Sequence, residues 1–452
     1  MRTAALRIAL FLACGGFVTA QDGEPQEPPV PPGDISVELE SPPRSEVVLD
    51  TDTSQPEEAP AIDAPENLIE EPPLPDESPS ASGKFQEQPQ GLSLYARQGY
   101  DSNVFTSYTD PSGSLYSNLG GALEYETASP RLDMVGSLTA GLTYYYSIPY
   151  YQYEFNGAFS LRLAYRPNAR WTLTLVTSTS YLPQPDLATP GATNQYNGSF
   201  IYSTTTLGAN YLWSRKVATE TKYNFTPVYY FDQAYNDQQG RVEQTFGQSI
   251  QWLVNPKTKL LLEYRANPVT YFSAPLDNFG QFALVGMDQV FNPRAKGDAR
   301  LGVEQRFYNS ENDNRSYLGP FAEFNVSYEY KKFSVLTANL RYGTEASGIG
   351  GSATRDTFRL GLGVVHGVTP KLSFSASVNY QNNYYNEFDK NVTYPDFTEN
   401  VIQFSLGANF QWSKLVGLEL GYTYTNDSAP EFIAPALAYE RNMAFVGIRI
   451  SY

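Results

Sequence analysis

Residues 372–380 read Leu372-Ser373-Phe374-Ser375-Ala376-Ser377-Val378-Asn379-Tyr380, and residues 416–424 read Val416-Gly417-Leu418-Glu419-Leu420-Gly421-Tyr422-Thr423-Tyr424. In both, apolar side chains alternate with polar or small ones. An extended chain points successive side chains to opposite faces, so a period of two makes a strand with one apolar and one polar face. Leu161, Leu163 and Tyr165 alternate in the same way with Ser160, Arg162 and Ala164. About eighteen such segments (sixteen to eighteen) fit between residues 91 and 452, at roughly 20 residues for each strand and its connection. No stretch stays apolar long enough to cross a bilayer as a helix.

The connections decide what kind of all-β protein this is. Short ones are expected at Thr127–Pro130, Arg166–Arg170, Ser214–Val217, Asn255–Thr258, Asn292–Gly297, Tyr330–Lys332, Val368–Lys371 and Trp412–Leu415. They alternate with long ones such as Gly99–Ser117, Tyr181–Ser199, Gln381–Thr398 and Thr425–Glu440. Short turns at one end and long loops at the other are the pattern of a transmembrane antiparallel up-and-down β-barrel. A Lys or Arg lies in or beside each short turn, for example Arg215, Lys257, Arg294 and Lys371. Trp171, Trp213, Trp252 and Trp412 lie near short turns, and Tyr144-Tyr145-Tyr146, Tyr229-Tyr230 and Tyr384-Tyr385 near long loops, as two interfacial girdles would require.

Composition agrees. The chain has 452 residues, 35 Tyr, 26 Phe, one Cys and one His, and a net charge of −17. That charge is uneven. Residues 1–20 carry +2 (Arg2, Arg7) and residues 21–90 carry 2 − 18 = −16, which leaves 27 − 30 = −3 for residues 91–452. The first twenty residues read as a signal peptide, with Val18-Thr19-Ala20 before the cleavage point; cleavage at Cys14 as a lipoprotein is the alternative. Residues 21–90, with 15 Pro and one aromatic residue, read as a disordered acidic tether that emerges on the periplasmic side. Its span is ~45 Å as a coil and roughly 200 Å as polyproline II, enough to approach the cell wall or a periplasmic partner. It is either a passive spacer or a docking arm.

The chain ends on Asn442–Tyr452, where Ala444, Val446, Ile448, Ile450 and Tyr452 share one face. The spacing of Gly447, Ile450 and Tyr452 resembles the C-terminal signal read by barrel-assembly machinery; Phe445 stands where a polar residue is usual. At the other end, Leu92-Ser93-Leu94-Tyr95-Ala96-Arg97-Gln98-Gly99-Tyr100-Asp101-Ser102-Asn103-Val104-Phe105 resembles the opening of the putative β-barrel porin 2 family. That resemblance implies a Gram-negative outer-membrane barrel over residues 91–452, in a family often linked to exopolysaccharide production.

One His and one Cys exclude His-dependent triads, disulfide scaffolds and thiolate metal clusters. His366 is expected at the periplasmic interface, away from any extracellular active site. No enzyme, cofactor, metal or nucleic-acid role is expected; the partners are outer-membrane lipid, lipopolysaccharide and the assembly machinery. Charge on the lipid side costs ~2–4 kcal/mol at mid-depth, so strand charges must face a lumen. The candidate lumen or constriction residues are Arg97, Arg162, Arg265, Asp298, Arg300, Glu304, Arg306, Glu323, Arg341, Arg359, Glu419 and Arg449. They form either a field that selects solutes or a lattice of ion pairs. Loop residues Asp101, Asp110, Asp186, Asp232, Asp237, Asp313, Asp389 and Asp396 could bridge lipopolysaccharide through divalent cations but match no calcium loop. Loop Tyr181–Ser199, with Pro183, Pro185 and Pro190, is the candidate to fold into the lumen. Two functions stay open: a passive channel for small hydrophilic solutes, or a non-enzymatic component of surface polysaccharide export.

Overall fold

The computed structural model describes residues 90–129, 131–148, 152–182, 199–308, 316–347, 354–385 and 396–452. The expected signal peptide, the tether to residue 89 and residues 183–198 of the candidate lumen loop lie outside them. Each alternating segment becomes a strand. The first six are β1 (Gln90–Asp101), β2 (Ser114–Ala128), β3 (Leu132–Tyr145), β4 (Tyr153–Asn168), β5 (Trp171–Leu182) and β6 (Phe200–Leu212). Next come β7 (Val217–Tyr230), helix α1 (Gln233–Gln239), β8 (Arg241–Asn255), β9 (Thr258–Tyr271), β10 (Asn278–Asn292) and β11 (Ala295–Tyr308). The chain continues through β12 (Ser316–Lys331), β13 (Ser334–Ala346), β14 (Thr354–Thr369), β15 (Leu372–Tyr385) and β16 (Phe397–Gln411). It ends with β17 (Val416–Ser428), helix α2 (Ala434–Leu437) and β18 (Tyr439–Ser451).

Every strand pairs antiparallel with its sequence neighbours, and β1 closes on β18 from Ser93–Ser451 to Asp101–Met443. The backbone amide of Tyr452 completes the closure by donating to the Leu92 carbonyl at 2.8 Å. This is an 18-stranded all-β barrel with no free edge. Connections of two to four residues, such as 256–257 and 293–294, alternate with connections of six to seventeen, such as 272–277 and 183–199.

The two faces separate as the alternation requires. Leu92, Leu119, Ile250, Leu262, Val285, Leu420 and Val446 stand exposed on the outer face. The four Trp residues are all exposed there as well, at the short-turn end. The girdle at the long-loop end is half of what adjacent tyrosines would supply. Tyr144, Tyr229 and Tyr384 point outward, but the strand pleat turns Tyr145, Tyr230 and Tyr385 inward, where each is 2% exposed or less. His366 faces outward near the short-turn end and shares a hydrogen bond between Nδ1 and the Tyr330 hydroxyl at 2.8 Å.

Candidate functional site

The lumen is built by the inward residues, and all twelve candidates project into it from nine strands. Arg97 (β1), Glu419 (β17) and Arg449 (β18) form one group. Arg97 donates to Glu419 Oε2 through Nε at 2.9 Å and Nη2 at 2.7 Å, and Arg449 Nε donates to Oε1. The Arg97 guanidinium also lies 4.4 Å from the Tyr95 ring centre and 4.9 Å from that of Phe445. Glycine permits the bridge. Gly447 of β18 lies between Arg97 and Glu419 in register, and a β-carbon there would stand 2.7 Å from Arg97 Cγ.

A second group spreads over β9 to β14. Arg265 Nε donates to Glu263 at 2.6 Å and its Nη1 lies 3.6 Å from Glu323. Arg300 pairs with Asp288 at 2.7 Å and lies 3.7 Å from Glu263 and 3.9 Å from Asp298. Arg359 donates to Glu345 at 2.5 Å, and Arg341 lies 3.9 Å from the same carboxylate. Both Arg265 and Arg341 approach the Phe321 ring, at 5.6 and 5.8 Å. Glu304 and Arg306, side by side on β11, bind each other at 2.6 Å. Charges of opposite sign thus alternate along this wall within direct contact, the charge-assisted pairing that satisfies ions in a partly dry environment.

The wall from β2 to β5 is different. Glu124, Ser160, Arg162 and Ser178 point inward yet are exposed, so Arg162 stands apart from the other candidates, on a wall of small hydroxyl residues. Ser137 and Ser160 share a hydrogen bond of 2.8 Å across it.

At the long-loop end, four loops fold inward onto apolar inner-wall residues. Val104 and Ile148 pack with Tyr116 and Tyr145. Tyr235 of α1 packs on the cluster of Phe200, Tyr202, Val228 and Tyr230, and Ile433 and Leu437 beside and in α2 pack on Tyr385 and Phe397. Asp232 caps α1 by accepting from the Tyr235 amide at 3.0 Å. These inturned loops were not singled out from the sequence; inward-facing aromatics at the outer strand ends are the signal that could have found them. Asp101, expected as a loop residue, is instead fully buried at the end of β1 and paired with Arg441. Asp396 accepts from the Tyr384 hydroxyl at 2.8 Å. Asp186, Asp313 and Asp389 lie outside the described residues. Among the described residues no group of three His, Cys, Asp or Glu side chains is arranged to hold a metal.

The family model for putative beta-barrel porin 2 matches residues 93–452, from the first strand to the last residue. The chain belongs to the putative beta-barrel porin 2 family. Membership makes it a porin-like barrel of the outer membrane. No curated protein matches it. Among solved structures, OccAB4 of Acinetobacter baumannii is similar at 11% identity, with 82% of this chain and 100% of that chain covered and a TM-score of 0.42. OccK2 (OpdF) of Pseudomonas aeruginosa, solved in complex with glucuronate, is similar at 10% identity, covering 80% of this chain and 98% of that one, with a TM-score of 0.43. The FrpB iron transporter of Neisseria meningitidis (F3-3 variant) reaches 9% identity, 76% of this chain and 62% of that one, and a TM-score of 0.36.

The residues whose spacing resembles a barrel-assembly signal lie on the closing strand β18 and at the chain end. Gly447 faces the lumen under Arg97, while Ile450 and Tyr452 face outward and are exposed. Phe445, the departure from the usual signal, lies inward over Gly421.

Proposed function

We propose that this porin-family barrel is a passive channel for small hydrophilic solutes. The observation that carries the reading is the exposure of inward-facing Glu124, Ser160, Arg162 and Ser178 inside a closed wall: the lumen beside β2 to β5 is wide enough for water. Solutes would move along this hydroxyl wall, past the ion-paired wall of β9 to β14. Because arginines and carboxylates there neutralise each other in contact, the pore would favour neither sign of ion strongly. The four inturned loops would set the narrowest passage at the outer mouth. No observation favours the polysaccharide-export reading.

Residues 21–90 would hang from the short-turn end, where β1 begins and β18 ends, as a periplasmic tether. Single-channel recording of the refolded mature protein, with and without residues 21–90, tests the whole reading. Ohmic steps of equal size from both proteins are expected. Silence from both would overturn the channel.

A further inference from the structure

One ladder of the barrel is incomplete. Strands β12 and β13 pair from Lys331–Ser334 up to Ala322–Tyr342, and there the ladder stops, although both strands continue to Ser316 and Ala346. Each stays paired on its other side, β12 with β11 up to Ser316 and β13 with β14 up to Ala346. The sequence gives a reason for the stop. Continuing the register sets Pro320 against Thr344, and proline has no amide to donate. Two other strand prolines interrupt their ladders only locally: at Pro227 the β6–β7 pairing resumes with Tyr202–Val228, and at Pro268 the β8–β9 pairing resumes with Glu243–Val269. At Pro320 it does not resume.

Side chains from β11 take the place of the missing partner. Glu304 Oε2 accepts from the Thr344 amide at 3.0 Å, and Arg306 Nη2 donates to the Thr344 carbonyl at 3.3 Å. Glu304 reaches β13 across β12, where Gly319 is its register partner and the Tyr317 ring lies over that glycine, 2.6 Å from where a β-carbon would stand. Unpaired backbone facing hydrocarbon costs several kcal/mol per group, so the pair acts as a latch on an otherwise open edge.

Two further side-chain bonds span this seam, from the Tyr317 hydroxyl to Asp356 Oδ2 at 3.0 Å and between the Tyr308 and Thr354 hydroxyls at 2.6 Å, and apolar side chains lie beside it on both faces. Outside, Leu301, Val303 and Leu318 are exposed, Leu318 to 68%. Inside, where the neighbouring wall carries ion pairs, Phe282, Leu284 and Phe321 form a buried apolar cluster, and the Phe321 ring lies against Gly343 at the foot of the seam.

We propose that the β12–β13 seam is a lateral gate, latched by Glu304 and Arg306, through which an amphiphile with a single acyl chain passes between the lumen and the outer leaflet. Parting the two strands by one strand spacing, ~4.8 Å, opens a slot one hydrocarbon chain wide. The polar head would stay with lumen water while the chain slides from the Phe282–Phe321 cluster into lipid. This route is separate from axial passage of hydrophilic solutes and does not depend on it.

Electron–electron double resonance in lipid nanodiscs tests the gate, using the mature protein from residue 21, which holds no native cysteine. Nitroxides are placed at Leu318→Cys and Ala346→Cys across the seam. Control labels go at Gln281→Cys and Gln305→Cys, which face each other on the intact β10–β11 ladder and lie level with Leu318. The expected result is a broad seam distance that lengthens by about 5 Å when lauric acid is added to the bilayer, with the control pair unmoved. Pro320→Thr, which restores the missing donor, should narrow the seam distance and abolish the response. A seam distance as narrow as the control and insensitive to laurate would overturn the gate. So would equal lengthening at both pairs, which would report a change in the bilayer, or lengthening with glucose and none with laurate.

Discussion

Glu419→Gln should be among the most destabilising single substitutions in the inner wall. Glu419 lies between Arg97 and Arg449 and receives three hydrogen bonds from them. The side chains of Arg97 and Glu419 are 1% and 8% exposed. Replacing the carboxylate by an amide keeps the shape but removes the negative charge that both guanidinium groups contact. Removing one partner of a buried pair costs ~3–5 kcal/mol. With a urea slope of ~3 kcal/mol/M, the midpoint should fall by roughly 1 to 1.7 M. The assay is urea-dependent folding into lipid vesicles, read by the gel mobility difference between folded and unfolded barrel. Lys222→Met serves as control: its pair with Glu220 is 3.0 Å long, but Lys222 is 35% exposed, so its loss should move the midpoint by less than ~0.3 M. Equal shifts for the two variants would refute the claim that the Arg97–Glu419–Arg449 bridge reinforces the closure beyond an ordinary wall contact.

Three further outcomes follow from the same wall. Arg300→Ala removes a positive charge within 4 Å of Asp288, Glu263 and Asp298, leaving Lys259 on Asp288 and Arg265 on Glu263, and should shift the channel toward cations; an unchanged reversal potential in a KCl gradient would contradict this. Tyr235→Ala removes the ring that packs 4.8 Å from Tyr230 under α1 and should raise single-channel conductance or its noise by loosening the mouth, which planar-bilayer recording checks. Tyr452→Ser, at the outward-facing last residue, should slow appearance of folded barrel in cells while leaving refolding into pure lipid within about twofold; equal slowing in both would mean that the residue acts on folding itself, through the lipid-facing surface.

The barrel, its strand number and the inward direction of its charges were legible because alternation is local: a strand of either neighbour carries the same period. Loop sorting was legible for the same reason. The pairs formed by those charges were not. Arg97 lies 322 residues from Glu419 in sequence, and only closure of β1 on β18 brings them together. Tyr145, Tyr230 and Tyr385 were misplaced in the girdle because a run of adjacent tyrosines marks the membrane boundary but not which member the pleat turns inward. Asp101 read as a loop residue because its partner Arg441 comes from the other end of the chain. The seam at Pro320 did leave a signal, since a proline inside an alternating segment breaks a ladder on one side. Four strands carry a proline, Pro167, Pro227, Pro268 and Pro320, and the sequence does not say at which of them the pairing fails to resume.

Register explains why the inner wall needs glycine where it does. Backbone hydrogen bonds tie each strand only to its two neighbours, whereas Arg97, Tyr95 and Glu304 each reach two strands away. Each does so across a glycine that faces it in register: Gly447 for Arg97, Gly120 for Tyr95 and Gly319 for Glu304. Tyr95 continues over Gly120 to Gly141 of β3. These crossings brace the barrel against parting at β18 and β2, where the ladders beneath them are complete. At Gly319 the same device lies over a ladder that has ended, so Glu304 does not reinforce backbone pairing there but replaces it. A side-chain contact can be broken without unpairing β11 from β12 or β13 from β14. That makes β12–β13 a joint of the described wall where side chains stand in for backbone pairing, and Gly319→Val, whose β-carbon would meet the Tyr317 ring at 2.6 Å, should displace that ring with its bond to Asp356 and broaden the same seam distance that Pro320→Thr narrows.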